Sequence, residues 1–130
     1  MPQDFQDQDP GTGIVASAVI DDVREKLRDL DDGNYRWSDA ILLGFVDGAQ
    51  RDIFQKRADL FYTADLSGLN QPVALVAVTD VLHLGAAWLQ ALACYAAGRA
   101  LAEDGNDAGD AAMAMVYQGR YLAELGIGIK

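Results

Sequence analysis

The chain has 130 residues, 51% of them hydrophobic, and twenty acidic against ten basic residues give it a formal charge of −10. That length supports one modest core, and the hydrophobic fraction excludes global disorder. The acidity argues against binding a nucleic-acid backbone, because that affinity comes mainly from Lys and Arg neutralising phosphates.

Residues 1–13 carry Pro2, Pro10, Gly11 and Gly13 among Gln and Asp, a composition that reads as a flexible arm. They lack the basic start and apolar centre of a signal peptide. A first helix is expected from about Ile14 to Leu30, with Val15, Val19, Val23, Leu27 and Leu30 on one stripe. Asp31–Asn34 ends it, where Gly33 or Asn34 can take the left-handed conformation. Tyr35 and Trp37 are expected to fold back onto the junction with the next helix.

Ser38 and Asp39 then mark a helix start, the hydroxyl as an acceptor for a first-turn N–H and the carboxylate at the positive end of the dipole. Leu42, Phe45, Val46, Ala49 and Ile53 form the apolar face of that second helix. The pairs Asp47/Arg51 and Asp52/Lys56 support its exposed face. Residues 58–71 read as a connecting loop with a short helical turn. Pro72–Val78, PVALVAV, is compatible with one short strand or an extended arm, lying across the helices or pairing with another copy.

The third helix, about Gly85 to Ala102, is the most hydrophobic stretch and must be covered on most sides. Val81–Gly98 holds eighteen residues without a formal charge, yet His83, Gly85, Gln90, Tyr95 and many alanines favour a buried helix over a membrane span. The lone cysteine, Cys94, lies in this run and reads as a buried free thiol in a reducing compartment. A fourth helix follows from about Asp107 to Leu125, with Ala108, Ala111, Ala112, Met115, Gly119 and Leu122 on the stripe expected to face helix three. Gly126 ends it, leaving a short tail to Lys130. The fold class is therefore all-α, a compact bundle of about four helices over residues 14–125, flanked by an arm at 1–13 and a tail at 126–130.

Little in the sequence carries chemistry. Neither Asp29–Asn34 nor Asp104–Asp110 places ligands at calcium-loop spacing, and a single His83 with a single Cys94 makes neither a zinc site nor a Cys–His dyad. The glycine pairs lack the lysine and the strand–helix setting of a phosphate loop. No catalytic, cofactor-binding or metal residue is assigned, and no enzyme activity or cofactor is expected. His83 reads as a solvated or capping residue. Trp88 and Tyr95, seven apart on the apolar helix, are candidate interface residues, weighed against core packing.

Val19–Phe54 resembles the N-terminal half of tailed-phage head-to-tail adaptor proteins, also called connector or head-completion proteins. The matching features are the acidic-glycine turn, the helix start Tyr35-Arg36-Trp37-Ser38-Asp39 and the Ala49-Gln50-Arg51-Asp52-Ile53 centre. Tyr95–Gly126 is similar to the alanine-rich helical hairpin of the same family, whereas residues 58–84 are shorter than the partly β insertion of its larger members. The resemblance implies a structural virion protein, made in the host cytoplasm and placed at the head-to-tail interface. There it would form a ring, usually of twelve copies, between the portal protein and the tail or further connector proteins. DNA would pass through the channel without specific binding, and neither membrane nor cofactor is involved. An acidic lumen suits sliding DNA. The competing reading is an acidic DNA mimic that inhibits a nucleic-acid enzyme. Ile127 and Ile129 in the tail are further interface candidates, expected to order against the portal or an adjacent subunit. Deleting 126–130 should leave melting nearly unchanged while weakening assembly.

Overall fold

The computed structural model describes residues 13–61, 68–104 and 108–126. Four α-helices organise them: α1 Ala16–Leu27, α2 Asp39–Lys56, α3 Leu89–Asp104 and α4 Ala108–Glu124, with 3-10 turns at Ala58–Phe61 and Ala86–Trp88. The result is the expected all-α bundle. Ile127 and Ile129 lie outside the described residues.

α1 begins without a side-chain cap at Val15. Its free first-turn N–H groups are instead taken by a later segment: Ala16 N–H donates to the Asp80 carbonyl and Ser17 N–H to that of Val78, both at 2.8 Å. Val19, Ile20 and Val23 are buried, as their spacing requires, but the helix stops three residues short of Leu30. Arg28, with φ of 58°, is the residue in the left-handed conformation at its end. This earlier stop lets Asp29 leave the helix and turn its carboxylate inward, while Leu30 stays exposed.

That carboxylate organises the junction. It accepts the backbone N–H of Arg36 at 2.8 Å and of Trp37 at 3.1 Å, and pairs with the Arg24 guanidinium at 2.9 Å. Trp37 is thereby held in the core, and Tyr35 lies under Arg24, whose Cζ is 3.5 Å from the ring centroid. Ser38 caps α2 by accepting from Ile41 N–H at 3.2 Å. Leu42, Val46, Ala49 and Ile53 are buried along it and Phe45 half-buried. Both expected ion pairs form, Asp47 with Arg51 and Asp52 with Lys56.

The short strand offered as one reading of 72–78 does not form, and no strand occurs among the described residues. The backbone groups of this segment find side chains rather than a neighbouring strand. Gln50, itself buried, donates to the Val73 carbonyl at 2.7 Å, and Asp47 accepts the Leu75 N–H at 3.0 Å. Further on, Leu82 N–H donates to the Ile14 carbonyl and Ile14 N–H to that of Leu84, giving one isolated antiparallel bridge, Val15 with Val81. Residues 72–84 are thus a strap, clipped to α2 at one end and capping α1 at the other. His83 on it is exposed.

α3 packs against α1, α2 and α4, which accounts for a helix apolar nearly all round. No helix among the described residues is long and apolar enough to cross a membrane. Cys94 is buried and unpaired. At Gly98 α3 lies close against α4: a Cβ there would sit 3.3 Å from the Ala114 carbonyl oxygen and 3.5 Å from the Tyr117 Cβ. Gly98→Val should force the pair apart and lower stability by about 1–3 kcal/mol, read as a lower urea midpoint at unchanged slope.

The buried face of α4 differs from the alanine stripe of the sequence reading. Ala114, Tyr117, Tyr121 and Leu125 face the core, whereas Ala111, Ala112, Met115 and Gly119 are exposed. The tyrosines win the interior because each hydroxyl reaches an acceptor, Tyr117 the Lys26 carbonyl at 3.1 Å and Tyr121 the Asp52 carboxylate at 2.5 Å. Burying a phenol ring removes far more apolar area from water than burying an alanine methyl. Gly126, with φ of 77°, closes the helix as expected, and Arg57 donates to the Leu125 carbonyl at 2.5 Å.

Candidate interaction surface

Between α2, α3 and α4 lies an open groove of about 640 Å³. Its floor is small and apolar: Gly98 and Ala102 from α3, Ala111 and Ala114 from α4. Met115, 75% exposed, stands at its lip. The other wall is polar, with Asp52 and Lys56 from α2, Arg99 and Tyr95 from α3, and Tyr121 from α4. The small residues that let α3 and α4 approach closely also leave the space above them unfilled.

The polar wall is internally matched. Lys56 pairs with Asp52 at 2.9 Å, and Arg99 pairs with Glu103 while donating to the Tyr95 hydroxyl at 3.2 Å. The Tyr95 and Tyr121 rings meet edge to face, their centroids 5.2 Å apart. Burial, together with the hydrogen bond to the Asp52 carboxylate, pushes the Tyr121 hydroxyl far above its ordinary pKa. It therefore acts as a neutral hydrogen-bond donor near neutral pH and not as a phenolate. Burial likewise raises the Cys94 thiol, which makes it a poor nucleophile. No group of three or more His, Cys, Asp or Glu among the described residues is placed to hold a metal ion.

On the far flank of α2 the strap presents apolar side chains to solvent, with Val73 at 68% and Val76 at 83% exposure. The segment is nonetheless fixed. Asp80 accepts the N–H groups of Val76 at 2.8 Å and Ala77 at 2.9 Å, and these bonds hold its carboxyl below the ordinary range. At Asp47, burial disfavours the charge, but hydrogen bonds from Leu75, Gln50 and Arg51 outweigh it and depress the pKa. A depressed carboxylate stabilises the fold above its unfolded value of 3.8 and loses that contribution as pH falls through the lower folded value. The strap should therefore stay clipped at pH 5 and loosen in acid. The amide shift of Leu75, followed by NMR, should titrate with a midpoint below 3.8.

Of the candidates read from sequence, Trp37 is buried and Ser38 is the helix cap. Asp39 reaches back to Arg24 at 2.7 Å, so with Tyr35 these residues form one structural cluster. Trp88 and Tyr95 are both half-buried against the core of their own chain; Tyr95 lines the groove, and Trp88 lies near Arg57. The groove and the strap's anchors escaped the sequence reading. The signal for the anchors was faint: Gln50 falls on the edge of an otherwise apolar stripe, where a buried amide must find partners. Comparison with protein-family models, curated proteins and solved structures finds no match.

Proposed function

We propose that this chain is a structural head-to-tail adaptor of a tailed phage, forming a ring between the portal and the tail through which DNA passes. The observation that carries the proposal is the resemblance of Val19–Phe54 and Tyr95–Gly126 to that family. In the fold, the first of these stretches spans most of α1 and α2 with their Asp29-centred junction, and the second runs from Tyr95, within α3, through α4. Both belong to one bundle, the all-α architecture the resemblance implies. Two features add support. Apolar side chains are exposed around α4, at Met113, Met115 and Val116, and on the strap, at Val73 and Val76, which leaves apolar surface for neighbouring subunits to cover. The charge of −10 suits a channel wall that must not retain DNA.

The test is to express the protein together with a tailed-phage portal protein from the same genome and to image the complex by electron microscopy. The expected result is a closed ring of this chain seated on the portal. A one-to-one complex with a nuclease or other nucleic-acid enzyme, and none with a portal, would replace the adaptor by the acidic DNA mimic.

A further inference from the structure

We propose that residues 71–77 form a latched loop, which lifts from α2 and returns while the bundle stays folded, with Gln50 and Asp47 as the latch. This goes beyond the adaptor reading and stands without it.

The strap is fastened unevenly. Its second half is built into the start of α1: the Val78 and Asp80 carbonyls take the Ser17 and Ala16 N–H groups, Leu82 and Leu84 bond to the Ile14 backbone, and both leucine side chains are buried. Gly13 lies so close that a Cβ on it would overlap the Leu82 carbonyl. That half cannot leave without uncapping α1 and opening the core. Ahead of the loop, Asn70 N–H donates to the carbonyl of buried Phe61 at 2.6 Å, which gives a second fixed end.

Between these ends the loop is held by little. Val73, Ala74, Val76 and Ala77 are exposed, while Leu75 is half-buried against the core. The Val76 and Ala77 N–H groups bond to Asp80, within the strap itself, and so tie it to no other element. Among the described residues, the bonds from 71–77 to another element are the two made with α2, Gln50 to the Val73 carbonyl at 2.7 Å and Leu75 N–H to Asp47 at 3.0 Å. In an extended chain a carbonyl and the N–H two residues on face the same side, so these side chains stand where the peptide groups of a neighbouring strand would bond. A segment with strand composition is thereby closed on its α2 side by a latch in place of a ladder.

Release orphans neither latch group. Gln50 Nε2 keeps its bond to Asp47 at 2.9 Å, and Asp47 keeps Arg51 at 3.0 Å. Opening therefore breaks two hydrogen bonds, which water re-forms on the freed backbone groups, and bares part of one leucine. Unfolding the bundle bares the whole core, so the loop lies at the low end of the range of local stabilities.

Native-state hydrogen exchange on the full chain, followed by NMR at pH 7 with small additions of denaturant, tests this. After correction for intrinsic rates, Leu75 N–H should be at least about 100-fold less protected than Ala49 and Leu92 in the helices, and its exchange should hardly depend on denaturant. Ser17 and Leu82 should stay well above Leu75. Gln50→Leu removes the donor to Val73 at similar volume and should lower the protection of Leu75 about tenfold. Leu75→Ala leaves α2 untouched, and should lower protection at residues 75–77 several-fold with Ala49 and Leu92 unchanged. A Leu75 amide that exchanges with the rate and denaturant slope of Ala49 and Leu92 would overturn the proposal, because the loop would then open only with the bundle. So would Leu82 exchanging together with Leu75, since the whole strap would be the moving part. Unchanged Leu75 protection in Gln50→Leu, or loop and helix amides weakened by the same factor in Leu75→Ala, would also overturn it.

Discussion

Trp37→Ala is expected to lower the stability of the fold by about 3–5 kcal/mol, the range for truncating a buried tryptophan. The side chain is 2% exposed and sits where the chain leaves α1 and enters α2, so its truncation leaves a cavity at the junction of the two helices. The Arg36 guanidinium covers its ring at 4.2 Å. For a domain of this size the loss corresponds to a fall in melting temperature on the order of 10 °C or more. Trp37→Phe provides the internal comparison. The indole Nε1 is buried without a partner, and such a group costs about 1–3 kcal/mol to bury. Phenylalanine removes that liability along with some packing volume, so it should retain most of the stability that alanine loses. Equal melting of parent and Trp37→Ala would mean that the ring does not seal the junction.

What the sequence disclosed and what it withheld divide along physical lines. Helices α1 and α2 were legible because aliphatic residues at three-and-four spacing have one reason to recur, α3 because a stretch apolar nearly all round has to be buried, and the Ser38 cap because a hydroxyl before a periodic run has a local partner, Ile41 N–H. The face of α4 was misjudged for a definite reason. Alanine and glycine count as apolar in a stripe, yet they remove little area from water, and the face was decided by Tyr117 and Tyr121, whose polar ends are satisfied by residues 91 and 69 positions away. Long-range partners of that kind are invisible in a periodicity. The strap is a second instance: PVALVAV has the composition of a strand, but strand formation needs an adjacent edge, and here the neighbours are the side chains of Asp47 and Gln50 and the open start of α1. The groove was hidden for the same reason, because it is a by-product of the Gly98 approach and not of any motif.

Asp29→Ala should be the most damaging single change at an acidic residue, because this side chain is 8% exposed and serves three donors. Removing it leaves the Trp37 N–H buried without an acceptor and deprives Arg24, 4% exposed, of one of its two carboxylates. Breaking a buried ion pair from one side typically costs 3–5 kcal/mol, since the remaining charge stays in a poorly solvated place. Arg24 retains Asp39 at 2.7 Å and the Tyr35 ring, so the loss is expected near the lower end, about 3 kcal/mol by urea unfolding. Asp29→Asn separates charge from hydrogen bonding. Its carbonyl can still serve a backbone N–H, but its NH2 group faces donors, and it should fall between the parent and the alanine variant. If the unpaired guanidinium is the main penalty, combining Asp29→Ala with Arg24→Met should recover part of the loss; if the orphaned backbone N–H groups dominate, the double variant should be no more stable than Asp29→Ala alone. An Asp29→Ala chain that unfolds with the parent would show that the junction is held by Trp37 packing alone, and the acidic turn would then be a solvated connector.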